Sequence, residues 1–179
     1  MSIRAYREWL PEIGRGAWVD PAATVIGRVT IAEDASIWPG AVVRGDVNWI
    51  SVGARTSIQD GSVLHVASAR LAGDEGIPLV IGEECTVGHG VILHACTVGR
   101  RVLVGMGAIV MDGAVIGEES IIGAGALVTA GTEVPPRTLW TGSPARKRRA
   151  LDAREVAFLA ESAAHYVSLK NDYRRGQTP

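Results

Sequence analysis

From Val19 onward an aliphatic residue returns every six positions, and this period constrains the fold more than any other feature of the chain. The series runs Val19, Val25, Ile31, Ile37, Val43, then Val52, Ile58, Leu64, then Ile81, Val87, Leu93, and finally Val98, Val104, Val110, Ile116, Ile122 and Val128. All 17 positions are Val, Ile or Leu. Four residues after most of them stands a small or β-branched residue, among them Ala23, Ala35, Ala41, Thr56, Ser62, Cys85, Ala108, Ala114, Ser120 and Ala126. One such unit cannot bury its aliphatic side chain. Stacked units can, while their backbone groups pair from coil to coil. The repeat therefore specifies an all-β solenoid. A β-sandwich, with turns every 8 to 12 residues, would not produce a period of six. Glycine at the position after the aliphatic residue (Gly53, Gly82, Gly88, Gly99, Gly105, Gly117, Gly123) fits a turn where a side chain would clash or where φ must be unusual.

The period breaks three times: three extra residues around Asn48-Trp49-Ile50, a long excursion between Leu64 and Ile81, and one residue missing between Leu93 and Val98. Insertions in a solenoid become surface loops. The pattern is expected to stop at Pro135-Pro136, giving a β-helix over residues 1–140 and a tail over 141–179. In the tail a helical period with Leu151, Phe158, Leu159, Tyr166, Leu169 and Tyr173 on one face predicts a helix over about 145–174, packed back on the solenoid. The run Arg146-Lys147-Arg148-Arg149 reads as the solvated start of that helix.

With 18 Lys+Arg against 19 Asp+Glu, no global field draws nucleic acid or an anionic membrane. Two cysteines, Cys85 and Cys96, make no disulfide framework, and no run is apolar enough to span a bilayer. A cytoplasmic location is the expectation. The repeat resembles the hexapeptide-repeat proteins. That resemblance implies a left-handed parallel β-helix, a triangular prism of three units per coil (roughly 18 residues), commonly assembled as a trimer.

Three of the four histidines lie between Leu64 and Ala95. If Val52, Ile58 and Leu64 form the three faces of one coil and Ile81, Val87 and Leu93 those of the next, His65 and His94 are register equivalents on the third face, stacked about 4.7–4.9 Å apart. His89 belongs to the second face and points past another edge. In a symmetric ring, the edge carrying His65 and His94 can meet the edge carrying His89 of the next subunit, giving one site per interface. Three neutral imidazoles with one open position are a common catalytic zinc arrangement. Arg44 falls one coil below His65, with Asp46 two residues on, and Gln59 and Asp60 lie on the second face, Asp60 in register with His89. An interface salt-bridge network without chemistry is the alternative reading of Arg44 and Asp46. His165, on the tail helix, reads as a surface or packing histidine.

Arg44-Gly45-Asp46, Ile58-Gln59-Asp60, His65, Gly88-His89-Gly90 and Leu93-His94 resemble the gamma-class carbonic anhydrases and their shorter bacterial relatives. The resemblance covers nearly the whole chain. It implies a homotrimer with zinc, iron or cobalt at each interface, held by His65 and His94 of one subunit and His89 of its neighbour. It further implies an interface ion pair of Arg44 with Asp46 and Asp60, Gln59 orienting the metal-bound water, and Tyr166 lining the site. The implied reaction is reversible hydration of carbon dioxide to bicarbonate by a zinc-bound hydroxide. The best-studied branch exports its proton through glutamates, one directly after the aspartate matching Asp46. Here Val47 stands there, and the excursion offers only Asp74 and Glu75. Other readings are open: a hexapeptide-repeat acyltransferase, suggested by a tail motif like Gly142-Ser143-Pro144-Ala145-Arg146; an acyl-CoA thioesterase using the same metal-bound hydroxide, suggested by similar proteins named for coenzyme A thioester metabolism; and a metal-binding protein without turnover.

Overall fold

A computed structural model describes residues 2–72 and 75–176. The chain winds into a parallel β-helix whose ladders stack the aliphatic series into three columns. Ile13, Ile31, Val52, Ile81, Val98, Ile116 and Val134 form the first face. Val19, Ile37, Ile58, Val87, Val104, Ile122 and Trp140 form the second. Ile3, Val25, Val43, Leu64, Leu93, Val110 and Val128 form the third. From Val25 to Val128 every member of these columns is at most 1% exposed, as are Ala35, Ala41, Thr56, Ser62, Cys85, Ala108 and Ala114 at the corners, so the core is one aliphatic rod. Val134 and Trp140 add two rungs to the series, the second of them beyond the stop expected at Pro135-Pro136. The two prolines occupy the turn between Val134 and Thr138, and a tryptophan replaces the aliphatic residue on the last rung.

The glycines that follow the aliphatic residues are there for close approach. A Cβ on Gly53 would lie 2.4 Å from the carbonyl carbon of Gly82 on the next coil. Left-handed backbone occurs two positions later, and the corners treat it differently. Between the second and third faces it falls on Gly40, Gly61, Gly90, Gly107 and Gly125. Between the first and second faces it falls on Asp34, Arg55, Glu84, Arg101, Glu119 and Arg137, with φ between 51° and 59°. Charge alternates up this column. Arg55 and Arg101 flank Glu84 at 3.6 and 3.0 Å, and Arg101 and Arg137 flank Glu119 at 3.0 and 2.6 Å. Between the third and first faces the spacing is irregular, and all three breaks in the repeat fall at this one corner. The long excursion there carries a short helix, α1 (Ala69–Ala72).

The tail departs from the helix expected from residue 145. Gly142-Ser143-Pro144 turns the chain back, and Arg146–Ala150 runs as a strand antiparallel to Thr138–Thr141. A solenoid ends in an open ladder of unpaired backbone groups, and an exposed strand carrying four charged residues closes such an edge while discouraging further pairing. The long helix α2 (Ala153–Gly176) starts just after a capping box. Asp152 Oδ1 accepts the Arg154 and Glu155 N–H groups at 2.9 Å each, and Glu155 Oε2 accepts the Asp152 N–H at 3.0 Å. Its packed face is Leu159, Ala163, Tyr166 and Lys170 rather than the full expected stripe: Leu151 precedes the helix, and Phe158 and Tyr173 stay about half exposed. Lys170 is fully buried, with its ammonium donating to Gly16 O at 2.6 Å and Asp34 Oδ1 at 2.5 Å. Trp18, Trp38 and Tyr173 meet with ring centroids 5.0–5.5 Å apart, fixing α2 against the second face. No described helix is long and apolar enough to cross a membrane.

Candidate metal centre

His65 and His94 are paired across adjacent rungs of the third face, as their equivalence in the repeat requires. Their ring centroids are 5.2 Å apart, and His65 Nδ1 lies 3.1 Å from His94 Nε2. Each ring uses its other nitrogen on a carboxylate. His65 Nε2 donates to Asp46 Oδ1 at 2.9 Å, and His94 Nδ1 donates to Asp112 Oδ1 at 2.5 Å. These partners select the tautomers, so a lone pair on each ring faces the same point. Two cis nitrogens around a tetrahedral zinc at about 2.0–2.1 Å stand roughly 3.3 Å apart, so the pair is spaced for one shared cation. Backing each ligand with a carboxylate is the usual outer shell of a histidine metal site.

The electrostatics keep the His65 ring in its ligating form. Burial is the main cause that lowers the His65 pKa below its ordinary value of 6.5; Asp46 works against it, but the positive Arg44 and the neighbouring His94 add to burial. His65 is therefore neutral at pH 7. Burial on its own would raise the Asp46 pKa, yet hydrogen bonds from His65 and Arg44 outweigh it and hold the carboxyl below the usual range. Arg44 NH1 pairs directly with Asp46 Oδ2. Beside the two rings opens a cavity of about 480 Å³ whose wall includes Val47, Val66, Ala67 and Ile77 together with Asp112.

The remaining expected residues gather on the second face. His89, about half exposed, gives Nδ1 to Asp60 Oδ2 at 2.9 Å, leaving Nε2 open. Asp60 thus serves His89 within the chain, and the Arg44–Asp60 pairing is not made inside one subunit. Gln59 is 3% exposed, and its amide nitrogen is buried with no hydrogen-bond partner. Gln59, His89 and Tyr166 line one cavity of about 240 Å³ between the second face and α2, closed by Phe158, Ser162 and Met106. Tyr166 also packs on Trp38 at 6.2 Å. Among the described residues no three His, Cys, Asp or Glu side chains of this single chain converge to hold a metal. His165 is exposed against Tyr166. Of the two acidic residues expected in the excursion, Asp74 lies outside the described residues, and Glu75 lines a different cavity from the one beside the histidines.

Asp112 was missed by the sequence reading. It lies one coil above His94 on the third face, two residues after Val110, the partner of Leu93; the register equivalent of His94 is Met111, so only an acidic residue next to that position marks it in the sequence. The buried amide of Gln59 left no such trace, because its lack of a partner is visible only in three dimensions.

Known proteins share the fold and much of the sequence. The bacterial transferase hexapeptide (six repeats) family matches residues 11–45 and 95–130. The chain is 51% identical to Protein YrdA of Escherichia coli K12 over 96% of its length and 93% of that protein. It is 45% identical to the mitochondrial gamma carbonic anhydrase 1 of Arabidopsis thaliana over 89% of its length and 58% of that protein. A hexapeptide transferase family protein from Anaplasma phagocytophilum superposes with a TM-score of 0.88 at 42% identity, covering 96% of this chain and 97% of the other. The stacked aliphatic columns, the histidines set on two faces and this shared sequence together show that the chain belongs to the gamma-class carbonic anhydrase family of hexapeptide-repeat proteins.

Proposed function

We propose that the chain forms a homotrimer in which His65 and His94 of one subunit and His89 of the partner subunit take one zinc, iron or cobalt ion, and that this site hydrates carbon dioxide reversibly to bicarbonate. The observation that carries the reading is the 3.1 Å approach of two ring nitrogens whose lone pairs are aimed at each other by Asp46 and Asp112. Without a cation such an arrangement is repulsive. A column of outward apolar residues on the same face, Val63, Ile92 and Ile109, each 37–40% exposed, supports coverage by a second copy beside the histidines.

A divalent ion at this position supplies a Lewis acid that makes water a nucleophile near neutral pH. The chain's own groups do the rest. Asp46 and Asp112 hold the imidazoles in ligating tautomer and orientation. The partly apolar cavity beside His65 and His94 suits an uncharged, linear substrate. Gln59 brings a buried amide N–H without a partner, which can donate to an oxygen of the reacting water or of bicarbonate. Arg44 keeps Asp46 ionised and is partly exposed, available to Asp60 of the partner subunit. Tyr166 forms the wall next to His89. With Val47 where the better-studied branch has a glutamate, proton export falls to buffer, so turnover should rise with imidazole concentration.

The test uses protein made and assayed without air. About one metal per chain and measurable carbon dioxide hydration are expected, with both lost in His89→Ala and His94→Ala alike. Co-expressing those two variants should restore about a quarter of the sites, because some interfaces then receive all three histidines. Full metal retention in His89→Ala would sink the shared site, and metal-independent acyl-CoA turnover would favour the acyltransferase reading.

A further inference from the structure

A second cavity of about 370 Å³ lies at the same irregular corner, on the other side of Asp46 and Val47 from the histidines. Its walls come from successive coils: the N-terminal turn at Tyr6–Trp9, the rung at Arg28, the insertion at Asp46–Asn48 and the excursion around Arg70. The N-terminal turn is closed by reciprocal backbone hydrogen bonds, Tyr6 N–H to Trp9 O at 2.9 Å and Trp9 N–H to Tyr6 O at 3.1 Å, with Arg7 in left-handed backbone (φ 52°). Arg28 sits where the pairing of the third face slips between Gly27 and Val29, opposite the three-residue insertion. The Arg7 guanidinium lies over the Tyr6 ring at 5.3 Å, and the Arg28 guanidinium over the Trp9 ring at 5.8 Å.

The charge balance sets this cavity apart. Arg55, Arg101 and Arg137 at the first corner each hold a carboxylate within 4 Å, and so does Arg44. Arg7, Arg28 and Arg70 hold none among the described residues, although all three line one cavity. Of the two carboxylates that also line it, Asp46 is already bonded to Arg44 and His65, and Glu75 is exposed. Arg7 and Arg28, each held over an aromatic ring, have less rotamer freedom to lose on binding an oxyanion than free side chains would. Arg7, Arg28 and Arg70 against one exposed carboxylate, Glu75, among the described residues call for a ligand carrying at least two negative charges.

We infer that this cavity binds phosphate, either free or as the phosphate group of a small metabolite, at a site separate from the histidine centre. Bicarbonate, with one charge at neutral pH, leaves most of the positive charge uncompensated. The inference does not depend on the proposed hydratase activity, and its test does not read that activity.

Isothermal titration calorimetry on the full chain at constant ionic strength, with inorganic phosphate, pyrophosphate, ADP and bicarbonate as separate titrants, decides it. Saturable binding of pyrophosphate is expected, weakened about tenfold or more by Arg28→Gln and by Arg7→Gln. Arg15→Gln removes an exposed charge paired with Glu33 away from the cavity and should leave binding unchanged. The same binding should persist in His94→Ala. Tighter binding of ADP than of pyrophosphate assigns the ligand as a phosphorylated metabolite; equal or weaker binding assigns the free ion. Absence of saturable binding, equal loss in Arg15→Gln, or bicarbonate binding as tight as pyrophosphate would overturn the inference.

Discussion

The two charged corners of the prism use the same residue types to opposite ends. Between the first and second faces, one charged residue per coil stacks on the next with alternating sign, and Glu84 and Glu119 are each flanked by two arginines. Between the third and first faces, Arg44, Asp46, His65, His94 and Asp112 also stack coil on coil, yet their pairing leaves two imidazole lone pairs facing one another and, a little further down, three arginines that hold no carboxylate among the described residues. One corner satisfies its charges internally. The other leaves ring nitrogens and guanidinia that the proposed ligands would complete. All the departures from the six-residue period fall at the second of these corners, so the irregularity that weakens the repeat is also what opens room for ligands.

Breaking the ladder should cost the most stability. Glu119 is 7% exposed between Arg101 and Arg137, and Glu119→Ala would leave two guanidinia facing each other without their anion. A loss of about 3 kcal/mol is expected, roughly 6–12 °C in Tm for a chain of this size, measured by thermal or urea unfolding. A change below about 1 kcal/mol would mean that the ladder is a solvated surface network. At the other corner the loss should appear in metal affinity instead. Asp112→Asn should weaken binding about 10–100-fold in a competitive chelator titration while leaving unfolding of the metal-free protein nearly unchanged. If unfolding moves and affinity does not, Asp112 is a structural residue.

A smaller effect separates charge from backbone. Gly61, at the corner between the second and third faces, has φ +67° and nothing within 4 Å of where a Cβ would stand. Gly61→Ala should therefore cost about 1–2 kcal/mol from left-handed backbone alone. Six charged residues at the neighbouring corner carry that same conformation, so their ion pairs and packing must offset a comparable strain on each coil.

What could be read in advance follows from which interactions are local in the repeat. The three columns and the His65–His94 pairing come straight from the six-residue period, because a register shift would expose every aliphatic residue at once. The tail was misread from residue 145 because its basic run fits a helix as well as a strand, and only the open end of the second face decides between them. The start of α2 was nevertheless written in the sequence as the capping box from Asp152 to Glu155. Tyr166 was placed from the family resemblance, and its contact with Trp38 depends on a docking that no local pattern encodes. The arginine cavity is assembled from four segments far apart in sequence, so nothing in the period announces it.

The last contrast between the corners is their response to pH, and it is the smallest. The ladder from Asp34 to Arg137 contains no histidine. His65, by contrast, has a folded-state pKa below 6.5, with burial as the main cause. The unfolded chain therefore binds a proton more readily than the folded one. Stability of the metal-free protein should rise with pH across the window between the two pKa values, be fully present above about 6.5, and be lost as pH falls below it. Unfolding of chelator-treated protein followed at pH 5, 6, 7 and 8 should show this slope, and His65→Gln should flatten it. A slope of the same size in the variant would assign the effect to His89, His94 or His165 and leave His65 without a part in it. A slope of the opposite sign would mean that the bond to Asp46 outweighs burial and that His65 is protonated in the metal-free fold, which would also remove one of the two lone pairs on which the metal centre rests.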